Sequence, residues 1–359
     1  SGSNTMTLDG VTMGTSSFVV ESGSNLSAPA SLLTGFASSG AGDTTVTALH
    51  STLDADLTSL LTTNVFASFA GTNTFTGSLG KSIVTVSGSN TMTLDGVTMG
   101  TSSFIVESVC NLTAAASLLD GVFVSGAGST TLNALHLAPS ADLRNITTTA
   151  SIVANVASDT TFSGFFGTTT VTISSGATLI TTSSKASGKS FHGTGNIEIS
   201  DLHNNLVGDF SNVFVSGTKT AYFNATDTFT GNLGSMAIVV GSGFTMTTDG
   251  SILDAIEVNG GGSVHITNMH NSLTADFSNV NPDGTITGSF DGDGEFVGAF
   301  GNVVTAIGNT FTMTVTAARM NNKTITGDGS IFVTNYESSP SAILTNVNVS
   351  GIAIINVTG

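Results

Sequence analysis

One string occurs twice: SGSNTMTLDGVTMGTSSF runs from Ser1 to Phe18 and again from Ser87 to Phe104. A chain that copies itself at a fixed distance builds by stacking one structural unit on the next. Fainter copies continue. VTALHSTLDADLTSL, LNALHLAPSADLRNI, ISDLHNNLVGDFSNV and ITNMHNSLTADFSNV share a frame, with their histidines at His50, His136, His203 and His270. The first interval is long and the next two are shorter and equal. Asp56, Asp142, Asp209 and Asp276 follow their histidines at a constant His-x5-Asp spacing. TFTGSLG, TFSGFFG, TFTGNLG and EFVGAFG track them and place Phe75, Phe162, Phe229 and Phe296. A degenerate fifth copy, VTNYESSPSAILTNV from Val333, carries Glu337 and Ile343 in the histidine and aspartate places. The repeats are thus 1–86, 87–173, 174–240, 241–307 and a partial 308–359.

Within each copy apolar residues alternate with Thr and Ser, as in Thr5-Met6-Thr7-Leu8, Val84-Thr85-Val86 and Phe311-Thr312-Met313-Thr314-Val315. A period of two in β-branched residues, bounded by Gly, Asn and Asp, is a strand signal. Disorder is disfavoured, because disordered chains join low hydrophobicity to dense charge, and here 39% of residues are hydrophobic and 9% charged. Helix is expected only in two short Ala- and Leu-rich stretches, 26–33 and 112–119. The repeat length suits a parallel β-helix, a single β-solenoid over 1–359. The shorter repeats read as three coils of about 22 residues each, and the longer ones carry roughly one coil more. About 16 coils at ~4.8 Å each would make a rod roughly 75–80 Å long. Asp9-Gly10, Asp95-Gly96 and Asp249-Gly250 are expected at equivalent corners. The competing architecture is a tandem of β-sandwich domains, which four prolines and the even composition disfavour.

Seven Lys and Arg against 24 Asp and Glu, a formal charge of −17, exclude a nucleic-acid binder, which needs a basic face. Cys110 alone excludes a disulfide-stapled module. No apolar run approaches the ~18 residues of a membrane span. The chain opens on Ser1 with neither Met nor an apolar signal stretch, which reads as a processed chain or a fragment. Scarce Lys and Arg suit a secreted product exposed to proteases.

Several residue sets bear on chemistry. The four His-x5-Asp pairs invite a metal reading, but ligands must converge on one ion about 2 Å away, and successive copies lie three or four coils apart. The expected role is structural, with Asp holding turn amides and His packed over it. Asp291, Asp293 and Glu295 put three carboxylates at alternate positions, a Ca²⁺ candidate set beside the simpler reading of a solvated acidic turn. No other cofactor is expected. Catalysis on polysaccharides would need clustered carboxylates and aromatic platforms. Here acids are dispersed, Trp is absent and only Tyr222 and Tyr336 are present, so no enzyme activity is expected. Recurrent Thr-x-Thr, as at Thr91/Thr93 and Thr170/Thr172, raises ice binding as a lesser alternative to simple strand preference. Asn25, Asn111, Asn145, Asn224, Asn322, Asn348 and Asn356 stand in N-x-[ST] sequons, a frequency that a Thr- and Asn-rich chain reaches by chance. Cys110 replaces Ser24 of the first copy and reads as a packing variant.

The pattern [VIL]-[TNS]-x-[LM]-H-x5-D-[LF], followed by T-F-[TS]-G and by the VSGSNTMTLDG of Val86 to Gly96, resembles the large β-strand-repeat proteins secreted by Gram-negative bacteria, similar in texture to giant adhesins and surface-layer proteins. The resemblance spans essentially the whole chain and carries no catalytic residues. It implies an extracellular structural protein of a bacterial surface: a solenoid rod or filament subunit that spaces, coats, adheres or polymerises. The alternative is a shaft that binds glycan or a solid surface. The expected partners are further copies of itself, stacked head to tail through open solenoid ends, and cell-surface glycan.

Overall fold

The computed structural model describes residues 4–357, and the fold is an all-β solenoid of about 18 turns. Two units make it up, residues 4–179 with 189–196 and residues 180–188 with 197–357. The first holds two seven-stranded parallel sheets. One runs from Thr5–Thr7 through Asn25–Pro29, Asp43–Thr47, Asn64–Phe69, Ile83–Val86 and Ser103–Val106 to Val124–Ser125. The other runs from Asn73–Phe75 through Thr91–Leu94, Asn111–Ala115, Ser129–Asn133, Ser151–Val156 and Thr170–Ile173 to Phe191–Gly193. The second unit has a seven-stranded sheet from Asp227–Phe229 to Val347–Val349 and a four-stranded sheet from Gly294–Glu295 to Ala353–Ile355. It also holds the ladder of Lys219–Phe223, Ala237–Val240 and Val258–Asn259.

The alternation read from sequence decides which residues go inside. In Ile83–Val86 and Thr91–Leu94 the second and fourth side chains are buried and the others half-buried. Full burial of each such Val, Leu or Phe contributes about 1.5–3 kcal/mol. No single turn can enclose these side chains, so neighbouring turns complete the core.

Ladder partners give the length of a turn. In the first unit Asn111 faces Ser129, Ser129 faces Ser151 and Val153 faces Thr170, so the steps are unequal. In the second unit Thr245 faces Ser263, Val264 faces Ile286 and Thr287 faces Val304, the same three steps in the same order. Three turns therefore fall short of one short repeat, by about half a turn. In the longer repeat Asn25 faces Asp43, Asp43 faces Asn64, Phe66 faces Ile83 and Ile83 faces Ser103. Those four steps leave the same shortfall, so the longer repeat differs by one whole turn. The expected count of about 16 coils is close to the roughly 18 turns of the structure, which are uneven and on average shorter than the expected length of about 22 residues. The surplus carries each repeat past a corner onto the next side of the coil. Asn25–Pro29 and Asn111–Ala115 are sequence equivalents, yet they sit in different sheets, as do Thr245–Asp249 and Thr312–Thr316. The backbone ladder requires turn to stack on turn; it does not require repeat to stack on repeat.

Each stretch expected to be helical divides. Asn25–Pro29 and Asn111–Ala115 are strands, followed by a short helix at Ala30–Leu33 and a 3₁₀ turn at Ala116–Leu118. Similar short helices occur at Ser183–Ala186 and Ala317–Met320. Of the three Asp-Gly corners, Gly10 and Gly96 are left-handed (φ 63° and 60°) and Gly250 is not. One corner carries avoidable strain. Gly23, Gly176 and Gly243 have φ of 78–81° with open space around them, whereas Val109 (φ 59°, 78% exposed) and Thr310 (φ 73°) occupy the equivalent positions. A β-branched residue is strained there. Val109→Gly is therefore expected to stabilise the protein by about 1 kcal/mol, the relief of left-handed strain less the entropy cost of Gly, read as a raised urea midpoint.

Candidate functional site

The repeated histidines and aspartates lie on adjoining pieces of one turn, and each is engaged with a neighbouring turn. His50, His136, His203 and His270 sit in 3₁₀ turns that follow a strand, each preceded by a buried Leu or Met that anchors the turn. Nδ1 of His50, His136 and His203 accepts the backbone amide of Ala70, Ala157 and Asn224 in the next turn, at 3.3, 3.4 and 3.3 Å. Their rings, half-buried, meet phenylalanines of that turn edge to face: His50 with Phe69, His203 with Phe223 and His270 with Phe290, centroids 6.2–6.4 Å apart. Nδ1 of His270 is buried without a partner.

The aspartates face another way. Oδ1 of Asp56, Asp209 and Asp276 accepts the amide two residues on, from Thr58, Ser211 and Ser278, at 2.8–3.0 Å. Asp142 does the same for Arg144, whose guanidinium closes an ion pair at 2.6 Å and lies over the Phe165 ring. The aspartate amides are held from the turn before by Thr34, Asp120, Ser187 and Asp254 side chains. The histidines thus join successive turns, while the aspartate carboxylates cap amides of their own turn.

The same contacts explain why the T-F-x-G motif follows the His-x5-Asp motif. Asp56, Asp142, Asp209 and Asp276 bridge in parallel to Ser78, Phe165, Asn232 and Ala299, one turn later. Just before each bridge partner, Gly77, Gly164, Gly231 and Gly298 pass so close to the preceding turn that a Cβ would lie 2.0–2.2 Å from a carbonyl oxygen. The ring of each motif phenylalanine, Phe75, Phe162, Phe229 and Phe296, is buried.

Asp291 and Glu295 are exposed, as is Asp293 between them at the alternate position. Asp293 Oδ1 accepts the Thr312 amide at 2.6 Å, as Asp159 does for Thr178 at 2.7 Å, while hydroxyls of Thr72 and Thr226 serve Thr91 and Thr245. Asp293 thus performs a repeated structural duty. Among the described residues no three His, Cys, Asp or Glu side chains converge to hold a metal ion. Cations are likewise spent on the backbone: Lys81 binds the Thr62 and Thr63 carbonyls, Lys189 that of Gly167, Arg319 that of Gly298 and Lys323 that of Gly301. Cys110 is buried and free. An outward threonine column, Thr93, Thr113 and Thr131, is interrupted by Val153 before Thr170. No helix among the described residues is long and apolar enough to cross a membrane.

The aspartate caps have a pH signature. Hydrogen bonds from the Thr58 and Ser278 side chains, and first from the Ser211 amide, hold the Asp56, Asp276 and Asp209 carboxyls below the usual carboxylate range. A lowered folded-state pKa stabilises above the unfolded value and is lost as pH falls through the folded one. Melting temperature is therefore expected to fall on acidification below about pH 4, and Asp→Asn at 56, 209 and 276 together should flatten that fall while lowering stability near neutrality.

No family model, curated protein or solved structure matches the chain.

Proposed function

We propose that the chain is an extracellular structural module of a bacterial surface, a β-solenoid that assembles with copies of itself and serves to space, coat or adhere. The observation that carries this reading is the use made of the reactive side chains. Three of the repeated histidines and most of the cations bind backbone of adjoining turns, and the repeated aspartate carboxylates accept amides two residues on in their own turn, so what would be chemistry elsewhere here holds the winding together. The likeness of the repeat motifs to secreted β-strand-repeat proteins points the same way, as does a surface of Thr and Ser with little charge. Assembly has a candidate edge. Among the described residues Ala353–Ile355 pairs on one side, with Ser330–Thr334, and Ile352, Ile354 and Ile355 are 66%, 48% and 49% exposed. A strand edge without a neighbour is a template for another strand, of a further length of this chain or of another copy; among the described residues Thr5–Thr7 pairs with Asn25–Pro29 alone.

The test is a concentration series by light scattering and negative-stain microscopy. Mass that grows with concentration into regular assemblies, and that Ile354→Lys abolishes without changing the circular dichroism, is the expected result. A monodisperse monomer throughout the series would sink the reading.

A further inference from the structure

The third and fourth repeats depart from their siblings at positions that the winding brings to one place. In the second unit an open groove of about 780 Å³ runs across Lys219–Phe223, Ala237–Val240 and Val258–Asn259. Lys219 stands where the other repeats have Val65, Ile152 and Ile286, all buried core residues. Its place in the ladder, opposite Ile197, is the one those residues hold opposite Thr44, Thr130 and Val264. Its ammonium reaches Ser235 Oγ at 2.6 Å, in the groove wall. Ala237 stands where Ile83, Thr170 and Val304 do, which opens the floor. Glu257 replaces Phe123, Ser190 and Thr324. A sequence that breaks its own pattern at several positions around one concavity marks a site.

The register arranges the polar groups. Val239 faces Asn259, and the bridge from Val258 to Val280 sets Glu257 beside Asn279 and Asn259 beside Asn281. One carboxylate and three amides so form a two-by-two block, about 4.8 Å across strands and ~6.6 Å along them. The block is tied in place: Asn259 Nδ2 donates to Glu257 Oε1 at 2.7 Å, and Asn281 accepts from Asn302 at 3.2 Å and donates to the Ser278 carbonyl at 3.1 Å. Groups held this way lose little freedom when a ligand arrives. Beside the block the aliphatic side chains of Ala237 and Val239 form the floor.

We propose that this groove binds a neutral oligosaccharide, with C–H faces on Ala237 and Val239 and hydroxyls shared among Lys219, Glu257 and the asparagine block. Side-chain amides donate to and accept from vicinal hydroxyls, and a carboxylate accepts from them, whereas nucleobases or lipids would require stacking rings or a continuous apolar wall. Asp254 and Glu257 outnumber the one lysine, and the chain carries −17, so an anionic sugar is repelled. The inference does not depend on self-assembly.

The experiment is titration calorimetry and saturation-transfer NMR with cellotriose, maltotriose and chitotriose, with tri-galacturonate as the anionic probe. Wild type is expected to bind at least one neutral trisaccharide, and Asn259→Ala with Asn281→Ala to weaken it by about tenfold or more, the loss of one or two hydrogen bonds. Lys219→Ile installs the sibling residue, so it should keep or raise the melting temperature while also weakening binding. Absence of binding by all three neutral probes, binding of tri-galacturonate alone, or affinity unchanged in both variants would overturn the assignment.

Discussion

Gly126→Ala is expected to lower stability by about 3–5 kcal/mol, most of a domain's margin. Gly126 has φ 112°, a region that is essentially glycine's alone. A Cβ there would lie 2.2 Å from the Val106 carbonyl oxygen in the preceding turn, and backbone cannot yield as a side chain can. The Gly126 carbonyl also receives the Thr149 amide of the following turn at 3.0 Å, so a shift at one corner disturbs three turns. The same geometry recurs at Gly40, Gly193, Gly260 and Gly327, with φ of 104–109° and a Cβ contact of 2.1–2.3 Å. Five copies with one conformation indicate a requirement of the winding and not a local accident. Gly121→Ala is the control: Gly121 is left-handed at φ 70° but nothing lies within 4 Å, so about 1 kcal/mol is expected. Urea midpoints of the two variants should differ severalfold in their displacement from wild type; equal displacements would mean that close approach is not what fixes these glycines.

Much of this architecture was legible because period-two alternation and literal duplication are strong signals. Thr91–Leu94 and Ile83–Val86 could be placed as strands, with the buried side known, from sequence alone. The length of a turn was not legible. The sequence period is not a whole number of turns, and the remainder is visible only once Asn111 is seen facing Ser129. Helices as short as Ser183–Ala186 cannot show a helical period. Ser125-Gly126 and Asn259-Gly260 announce turns, yet which of them press against the turn below is a matter of three-dimensional stacking. The groove escaped for a related reason. Lys219, Ala237 and Glu257 are far apart along the chain and ordinary singly, and only alignment to their siblings together with the ladder register brings them together. The His-x5-Asp motif, by contrast, already shows in its spacing that successive copies lie on different turns, where their side chains cannot converge on one ion.

Phe162→Ala is expected to cost about 3–5 kcal/mol, the range for emptying a buried aromatic site. Phe162 is 1% exposed and stacks on Phe166, with centroids 4.3 Å apart at 25°; Phe166 in turn meets Phe191 edge-on at 5.5 Å. Three rings thus fill the core between successive turns. Gly164 leaves the space that the Phe162 ring tip occupies, since a Cβ there would lie 2.7 Å from Cζ. All four copies of the motif keep a phenylalanine at this position, but the Phe166 place is filled by Leu79, Leu233 and Phe300, each no more than 2% exposed. The chain's own copies therefore predict an asymmetry. Phe166→Leu should lose under about 1.5 kcal/mol, a swap the fold already accommodates elsewhere, whereas Phe162→Ala leaves a void that rigidly laddered backbones on either side cannot collapse to fill. Thermal unfolding of the two variants side by side checks this. Comparable losses would show that the aromatic stack, and not the motif phenylalanine alone, sets the spacing between turns.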